Sequence, residues 1–350
     1  MTFPASMVDF VERYTPPPIA GDFTGKPIIT VEQFARRDLD IIFEATRKIR
    51  AGVRHDEHGI SNLCAHRVMA MLFFEASTRT DMSFQAAMSR LGGRVIGASN
   101  GISFSSVYKG ENLPDTVRAA GCYADVVVLR HPAEGATYLA AYYLDMLAQH
   151  IGRRPILISA GDGIGEHPTQ ALLDLFTLLD SEGGVDDLNI TLVGDLKYGR
   201  TVHSLAKLIG LFEAPDTTLN FVAPAGLEMP QSIRDFLDTR PVQFFQTDQL
   251  DDVLADSDVI YWTRVQEERF DDPAQYAAIA DAFVMTPDIL ARAKPDAILM
   301  HPLPRKHEMG TPQDHDILDN DPRAAYFRQM ENGMFVRMAL LAKTLGVSII

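Results

Sequence analysis

The chain has 350 residues, of which 46% are hydrophobic and 23% are charged, and its formal net charge is -15. A globular chain of this length is long enough for two domains with separate cores. The acidic balance argues against nucleic acid and anionic membranes as partners, because the field of the protein repels both.

Targeting signals and disulfides are not indicated by the sequence. No apolar run approaches the ~18 residues of a membrane-spanning helix, and no basic flank followed by an apolar segment marks a secretory signal. The two cysteines, Cys64 and Cys122, are far apart and belong to no metal-binding motif, which fits a reducing compartment and argues against a thiolate zinc site. We therefore expect a cytoplasmic protein.

The N-terminal part of the chain combines an irregular segment with a helix. Residues 1–27 include a run of three prolines and several glycines, which predicts an irregular extension. Thr30 and Gln33 then have the spacing of a capping box. Apolar side chains recur with helical spacing from Leu39 to Ile49, so we predict a helix after the box.

From residue 68 onward, short apolar runs alternate with helical segments. We predict nine strands, near Val68–Phe74, Val95–Gly97, Val126–Leu129, Ile156–Ser159, Ile190–Val193, Leu219–Ala223, Phe244–Gln246, Val259–Trp262 and Ile298–Met300. Several runs are apolar at consecutive positions, which is typical of strands that are covered on both faces. The alternation predicts an α/β fold with mainly parallel sheets.

Nine strands would make one unusually long sheet, so we predict two α/β domains. The boundary is expected in the glycine-rich segment 159–170, which precedes a strongly periodic helix. A last helix, from about Pro322 to Leu345, is expected to pack as a long closing element.

The first candidate site follows the strand near residue 70. Ser77, Thr78, Arg79 and Thr80 supply three hydroxyls and one guanidinium, and the segment Asp81–Leu91 after them has helical spacing. The start of a helix favours an anion, because its first N–H groups are unpaired and its dipole is positive there. A guanidinium matches phosphate oxygens in pairs. The alternative is that the hydroxyls only cap the helix and that the arginine is solvated.

Three predicted strands lead to a histidine followed by proline, at His131, His167 and His301. The proline keeps each histidine out of helical geometry, and the carboxyl ends of strands are where open α/β sheets bind ligands. A lone histidine is more often a hydrogen-bonded structural residue, which remains the alternative for each. A metal site is disfavoured, because the histidines lack i, i+4 spacing and have no carboxylate at ligand spacing.

Two further segments carry arginines at strand ends. Gly194–Thr201 resembles the phosphate loop G-x-x-x-x-G-K-[ST], but Arg200 stands where that motif has lysine. A nucleotide-binding P-loop module therefore remains an alternative function. Arg264 and Gln266 lie on one side of an extended segment, and the alternative for the arginine is a surface salt bridge to a neighbouring glutamate. Residues 100–111 are polar and glycine-rich, which predicts a mobile loop.

From about residue 30 to the C-terminus, these motifs resemble those of the aspartate carbamoyltransferase catalytic chains, within the aspartate/ornithine carbamoyltransferase superfamily. The resemblance implies that carbamoyl phosphate is bound by Ser77, Thr78, Arg79, Thr80, Arg130, His167, Gln170, Pro302 and Leu303. It implies that aspartate is bound by Lys109, Arg200, Arg264, Gln266 and Leu303. By the same resemblance, the catalytic residues are Arg79, Thr80, Arg130 and His167, and a neighbouring subunit donates Ser105 and Lys109.

The resemblance also implies a fold and a reaction. The fold has two doubly wound domains joined by helices, and the C-terminal helix packs back on the N-terminal domain. Carbamoyl phosphate is bound by residues 28–165 with 325–350, and aspartate by residues 166–324. The implied reaction is carbamoyl transfer to the α-amino group of L-aspartate in de novo pyrimidine biosynthesis, without a cofactor. A homotrimer is implied, and a regulatory chain or a higher assembly stays open.

Two features bear on alternatives within the family. The ornithine-using relatives usually have cysteine in place of Pro302, whereas here Arg200 and Arg264 suit the two carboxylates of aspartate. The family usually has arginine where this chain has Asp81, and commonly glutamate where it has Gln85. We expect Asp81 to point away from the site and to alter ion pairs behind it. A weakened homologue that serves as a binding subunit is therefore a further alternative.

Overall fold

The computed structural model describes residues 6–55, 59–97, 110–214, 216–265, 283–311, 313–314 and 316–349. The chain divides into two compact units, Met1–Thr169 with Gly333–Ile350 and Gln170–Asn332. The domain limits expected from the family resemblance lie at 165/166 and 324/325. No helix in the described ranges is both long enough and apolar enough to cross a membrane.

The first unit contains a four-stranded sheet in the order β2-β1-β3-β4, in which every pairing is parallel. Its strands are β1 (Val68–Phe73), β2 (Arg94–Gly97), β3 (Val126–His131) and β4 (Ile156–Asp162). Its helices are α1 (Asp9–Arg13), α2 (Arg36–Arg54), α3 (Thr78–Arg90), α4 (Leu113–Tyr123) and α5 (Ala136–Ile151). Helix α6 (Pro168–Glu182) begins in this unit and continues in the second.

The second unit contains a five-stranded sheet in the order β7-β6-β5-β8-β9, again parallel at every pairing. Its strands are β5 (Asn189–Val193), β6 (Thr218–Val222), β7 (Gln243–Thr247), β8 (Val259–Trp262) and β9 (Ile298–Met300). Its helices are α7 (Arg200–Phe212), α8 (Gln231–Leu237) and α9 (Pro287–Leu290), and α10 (Tyr326–Thr344) starts here and ends in the first unit. Over the described ranges, the prediction of nine strands in two parallel sheets is confirmed.

Several strands form where the sequence is continuously apolar. All residues of β4, β8 and β9 are buried, as are the last five of β1 and the first five of β3. Strands of a parallel sheet that are covered on both faces lose the alternation of polar and apolar residues. The first unit's core joins β3 and β4 to α4 and α5, for example through Val127, Val117 and Leu144.

The C-terminal helix packs on the first unit, as predicted. The guanidinium of Arg337 donates to the Ser83 hydroxyl in α3 at 2.8 Å and lies 5.1 Å from the centre of the Phe84 ring. The N–H of Gly25 donates to the carbonyl of Thr344 at 2.9 Å. These contacts tie the end of the chain to the first unit's α3 and to its N-terminal segment.

Two predictions near the N-terminus were wrong in detail. Within residues 1–27 a short helix forms, because Phe10 and Tyr14, one turn apart, bury their rings in the core beside α5. The capping box at Thr30 and Gln33 is present, but it starts a 3₁₀ turn that ends at the extended Phe34. Helix α2 starts only at Arg36, where the Asp38 carboxylate accepts the N–H of Ala35 at 2.8 Å.

The end of β5 shows a close approach of two backbones. Gly194 has φ of +118°, and a Cβ at this position would lie 2.2 Å from the Thr263 carbonyl oxygen at the end of β8. The two strands are neighbours, with Val193 paired to Trp262. Glycine is therefore required where the loop after β5 passes the loop after β8.

We expect Gly194→Ala to lower the free energy of unfolding by about 2 to 4 kcal/mol, because the methyl group meets rigid backbone in a strained conformation. The matched control is Gly226→Ala, where φ is +90° and nothing lies within 4 Å of the added Cβ. The control should cost only about 1 to 2 kcal/mol, from the positive φ alone. Urea denaturation of both variants measures the difference, and equal losses would contradict a clash at Gly194.

Candidate active site

In the first unit, the sheet register brings the predicted residues to one edge. Phe73, the last residue of β1, lies opposite Arg130 near the end of β3, and His131 lies opposite Asp162 at the end of β4. Because the strands are parallel, all three carboxyl ends meet at the same edge. The segment 74–80, Arg130 and the loop that leads to His167 all start from that edge.

The segment after β1 forms the N-terminus of α3. Ser77 is extended, with φ of -158° and ψ of 97°, and its side chain makes no capping hydrogen bond. The helix begins at Thr78, so the N–H groups of Thr78, Arg79 and Thr80 have no carbonyl of the same helix to bind. Thr80 is buried and Arg79 is half-buried. The Ser77 hydroxyl does not cap the helix, and this helix start suits an anion.

Arg130 is 8% exposed, and protein groups fix its guanidinium. Its Nη1 donates to the Ala160 carbonyl at 3.1 Å, and its Nη2 lies 3.2 Å from Oε2 of Glu75. Glu75 belongs to the same segment that leads into α3. The ion pair therefore holds the guanidinium beside the helix start.

His167 is 4% exposed and follows a tightly bonded loop. One carboxylate oxygen of Asp162 accepts the Glu166 N–H at 2.9 Å, and the other accepts the Thr137 hydroxyl at 3.1 Å. The Glu166 carboxylate in turn accepts the Thr30 hydroxyl at 2.9 Å. These bonds fix the segment that places His167.

Asp162 and Glu166 were missed by the reading of the sequence. Burial raises the pKa of Asp162 to about 7, although the N–H of Glu166 and other donors favour its charged form. The sequence does contain one signal for Asp162, because it lies between two glycines at the end of an apolar strand, where site residues are expected. Nothing in the sequence named its partners, which come from the N-terminus of α5 and from the next loop.

The three His-Pro turns have different local structures. In two of them the ring Nδ1 accepts a backbone N–H two residues ahead, from Ala133 to His131 at 3.0 Å and from Leu303 to His301 at 2.8 Å. Burial lowers the pKa of His131, which favours the neutral ring that such an acceptor needs. At His167 the proline is instead the first residue of α6, a position that suits it. Among the described residues, no group of three or more His, Cys, Asp or Glu could hold a metal ion.

In the second unit, the turn after β9 is clamped. His301 Nε2 lies 3.0 Å from Oε1 of Glu308, whose other oxygen accepts the N–H groups of Lys306 and His307. Burial opposes the charge on Glu308, but the hydrogen bond from the His301 ring and that from the Lys306 N–H outweigh it and lower the pKa of Glu308. Leu303 has φ of +55° in the left-handed region, which costs about 1 to 2 kcal/mol in a residue with a side chain. Such an outlier in a clamped turn marks a candidate site.

The loop after β5 is not a phosphate loop. Its amides donate to protein acceptors: Gly194 to the Val222 carbonyl, Leu196 to that of Leu227, and Tyr198 to the carboxylate of Asp195. Asp195 is fully buried, and its carboxylate accepts a loop N–H of the kind that a P-loop presents to phosphate. The nucleotide-binding alternative is therefore contradicted.

The same loop and the end of β8 bring two predicted arginines to one edge of the second sheet. Arg200 is the first residue of α7, and Arg264 follows Thr263, whose N–H donates to the Val193 carbonyl at 2.8 Å. Both arginines are half-buried. The predictions for Ser105, Lys109 and Gln266, and most of the loop predicted at 100–111, lie outside the described residues.

Asp81 pairs along its own helix. The side-chain amide of Gln85 donates to the Asp81 carboxylate at 2.6 Å, and Gln85 is exposed. The two residues that depart from the family pattern thus contact each other at i, i+4 spacing.

Comparison with known proteins identifies related sequences and structures. A family model described as aspartate/ornithine carbamoyltransferase, carbamoyl-P binding domain, matches residues 26–180, and one described as the Asp/Orn binding domain matches residues 186–344. The multifunctional protein CAD of Squalus acanthias is 48% identical over 93% of this chain, which spans only 14% of that protein's length. The aspartate carbamoyltransferase catalytic subunit of Methanocella arvoryzae is 44% identical over 94% of this chain and all of its own.

A solved structure is similar throughout. Aspartate transcarbamoylase from Trypanosoma cruzi in complex with carbamoyl phosphate and aspartate has 41% sequence identity and a TM-score of 0.84. The match covers 95% of this chain and 100% of the other.

The buried carboxyl of Asp162 predicts a pH-dependent stability. Its pKa is about 7 in the folded chain and about 3.9 in an unfolded one. The stability that this group contributes is therefore fully present below about pH 4 and is lost as the pH rises through about 7. Between pH 5 and pH 8, the parent should lose about 2 to 3 kcal/mol of unfolding free energy relative to Asp162→Asn, which cannot titrate.

Urea denaturation of both proteins across this pH range checks the effect. The Asp162→Asn substitution can also destabilise the protein by an amount that does not depend on pH. This amount does not affect the result, because the measurement compares the difference in unfolding free energy between the two proteins at successive pH values. A difference that stays constant from pH 5 to pH 8 would show that Asp162 does not titrate there.

Proposed function

Because the chain belongs to the aspartate/ornithine carbamoyltransferase family, we propose that it transfers the carbamoyl group of carbamoyl phosphate to the α-amino group of L-aspartate. The products are N-carbamoyl-L-aspartate and phosphate, in pyrimidine biosynthesis. The observation that carries the proposal is that both substrate-binding domain models of the family match in succession along one chain. The similarity to a structure that holds carbamoyl phosphate and aspartate supports the same reaction.

Phosphate binding is assigned to the first unit. Ser77, Thr78, Arg79 and Thr80 surround the N-terminus of α3, and Arg130 is held at the neighbouring strand end. The N–H groups of the first helical turn, the hydroxyls and two guanidiniums together provide donors for the phosphate oxygens. This edge gathers positive charge in a chain whose net charge is negative.

Stabilisation of the transition state is assigned to Thr80, Arg130 and His167. These residues would donate to the carbonyl oxygen of the carbamoyl group, on which negative charge develops as the amine attacks. All three are buried, so donors fixed there act with little screening by water. Fixed donors of this kind are usually the largest single contribution to catalysis.

The remaining polar groups orient the two substrates. Gln170 and the carbonyls of Pro302 and Leu303 would accept from the carbamoyl NH2. The two carboxylates of aspartate would be bound by Arg200 and Arg264, together with Gln266, Lys109 and Leu303. Two guanidiniums suit a dicarboxylic acceptor better than ornithine, which carries a second amino group.

No covalent intermediate is needed in this mechanism. The attacking amine must be neutral, and the departing phosphate can itself take up the proton. The rate then comes mainly from orientation, with the amine nitrogen held about 3 to 3.5 Å from the carbonyl carbon, and from fixed positive charge.

The assembly and the compartment are proposed on the family resemblance. The active form is a homotrimer in which a neighbouring subunit supplies Ser105 and Lys109. A cytoplasmic location agrees with two free cysteines. The multifunctional relatives, of which this chain covers 14%, leave a larger assembly open.

The reaction is tested by assaying the purified chain with carbamoyl phosphate and either aspartate or ornithine. We expect N-carbamoyl-L-aspartate with aspartate and no product with ornithine, because Arg200 and Arg264 require two carboxylates. Product with ornithine alone would overturn the acceptor. No product with either, together with weak binding of N-(phosphonacetyl)-L-aspartate, would favour the weakened homologue suggested by Asp81.

For the phosphate site, we expect Arg79→Ala to lower kcat at least about a hundredfold, since removal of one such donor costs about 2.7 to 4 kcal/mol. The matched control is Arg90→Ala, in the last turn of the same helix and exposed. Steady-state kinetics with circular dichroism checks both variants. A folded Arg79→Ala variant with parent-like kcat would exclude Arg79 from the site.

A further inference from the structure

The second unit contains a buried polar network centred on Asp174, to which neither the motifs nor the family resemblance gave a role. Asp174 and Tyr261 are fully buried, and His301 and Gln329 are each 1% exposed. A buried carboxylate is costly unless donors surround it. Its partners therefore show what the carboxylate holds in place.

Asp174 fixes the orientation of the Gln170 amide. Oδ1 of Asp174 accepts from Gln170 Nε2 at 2.8 Å, one helical turn away, and Oδ2 accepts from the Tyr261 hydroxyl at 2.7 Å. A carboxylate can only accept, so Gln170 must turn its NH2 towards Asp174 and its oxygen away. Gln170 Oε1 is thereby fixed as an acceptor for another group.

A second branch runs from Asp174 to the turn after β9. Oδ1 of Asp174 also accepts from Gln329 Nε2 at 2.6 Å, and Gln329 Oε1 accepts the backbone N–H of His301 at 3.0 Å. His301 Nδ1 then accepts the N–H of Leu303 at 2.8 Å. The backbone that carries the Pro302 and Leu303 carbonyls is thus held by the same carboxylate as Gln170.

We propose that Asp174 is a positioning residue that fixes three acceptor oxygens together, Gln170 Oε1 and the carbonyls of Pro302 and Leu303, and so selects the NH2 of the carbamoyl group. The inference rests on the proposed function, which gives these oxygens the carbamoyl NH2 as their donor. An acyl phosphate with methyl in place of NH2 leaves the oxygens without a donor, and desolvated acceptors without partners are penalised.

A role only in packing α6 against α10 is the alternative. The same two helices are already joined one turn away, where Asn332 Nδ2 donates to the Thr177 hydroxyl at 3.1 Å between buried residues. The Thr177 hydroxyl donates to the Leu173 carbonyl, and within the described part of the chain no hydrogen bond joins it to Gln170 or to the turn at His301. Thr177→Val therefore weakens the same helix pair without touching the network.

The test compares two stable analogues that differ only in the selected group: phosphonoacetamide, which carries NH2, and acetonylphosphonate, which carries CH3. Calorimetry gives the ratio of their dissociation constants for the parent and for each variant. The parent should prefer the amide. Asp174→Ala should reduce that preference by about tenfold or more, and Gln329→Met, which frees only the His301 branch, by about threefold.

The controls separate positioning from stability. Asp174→Asn should keep most of the preference, because its amide oxygen can accept from both glutamines while the Tyr261 hydroxyl accepts from its NH2. Thr177→Val should lower the melting temperature and leave the preference unchanged. Should Asp174→Ala not fold, Gln329→Met decides.

If the parent makes N-carbamoyl-L-aspartate, three results would overturn the inference and leave the proposed function intact. The parent could show no preference for the amide analogue, or the deciding variant, Asp174→Ala or Gln329→Met, could keep the preference of the parent. The third result is a loss of preference in Thr177→Val as large as that in the deciding variant. A parent that makes no N-carbamoyl-L-aspartate would instead overturn the proposed function, and the inference with it.

Discussion

The parallel pairing of β1 with β3, which sets Phe73 opposite Arg130, is the constraint on which the first unit's site depends. Because both strands run in the same direction, the turn into α3 and the Arg130 side chain leave the sheet at one edge. The ion pair between Arg130 and Glu75 then joins these two loops. A register shift of one residue would turn Arg130 to the opposite face of the sheet, so the strand pairing itself positions the guanidinium.

The strands and the strand-end residues could be predicted because their signals are local. Short apolar runs predicted the nine strands of the described residues, and the carboxyl ends of those strands pointed to Arg130, His167 and Arg264 as candidate site residues. The partners could not be predicted, since Thr30 and Glu166, or Asp174 and Gln329, are far apart in the sequence. Their pairing is decided by tertiary packing, for which a single sequence carries no periodic pattern.

Local signals also failed where two structures satisfy the same pattern. The capping box at Thr30 is real, but a box fixes only the start of a turn, and the extended Phe34 ends that turn before α2. The three His-Pro pairs are identical in sequence, yet His131 and His301 serve as acceptors for a backbone N–H, whereas His167 precedes a helix. The residues that follow each proline decide which structure forms, and hydrogen bonds from distant segments stabilise it.

Carboxylates beside the proposed anion sites need a physical explanation, because each one weakens the positive potential that attracts a phosphate or a dicarboxylate. Glu75 binds the guanidinium of Arg130, and Asp174 binds the amide of Gln170, so each carboxylate holds a long polar side chain of the proposed site. A long polar side chain that is free to rotate loses up to about 2 kcal/mol of rotamer freedom when a ligand fixes it, and an isolated buried guanidinium is costly to desolvate. A carboxylate acceptor removes both costs before the ligand arrives. Donors and acceptors that are fixed in advance stabilise developing charge without reorganisation. The carboxylates therefore weaken the binding of the anionic substrates in the ground state, but they place the donors and acceptors that stabilise the transition state.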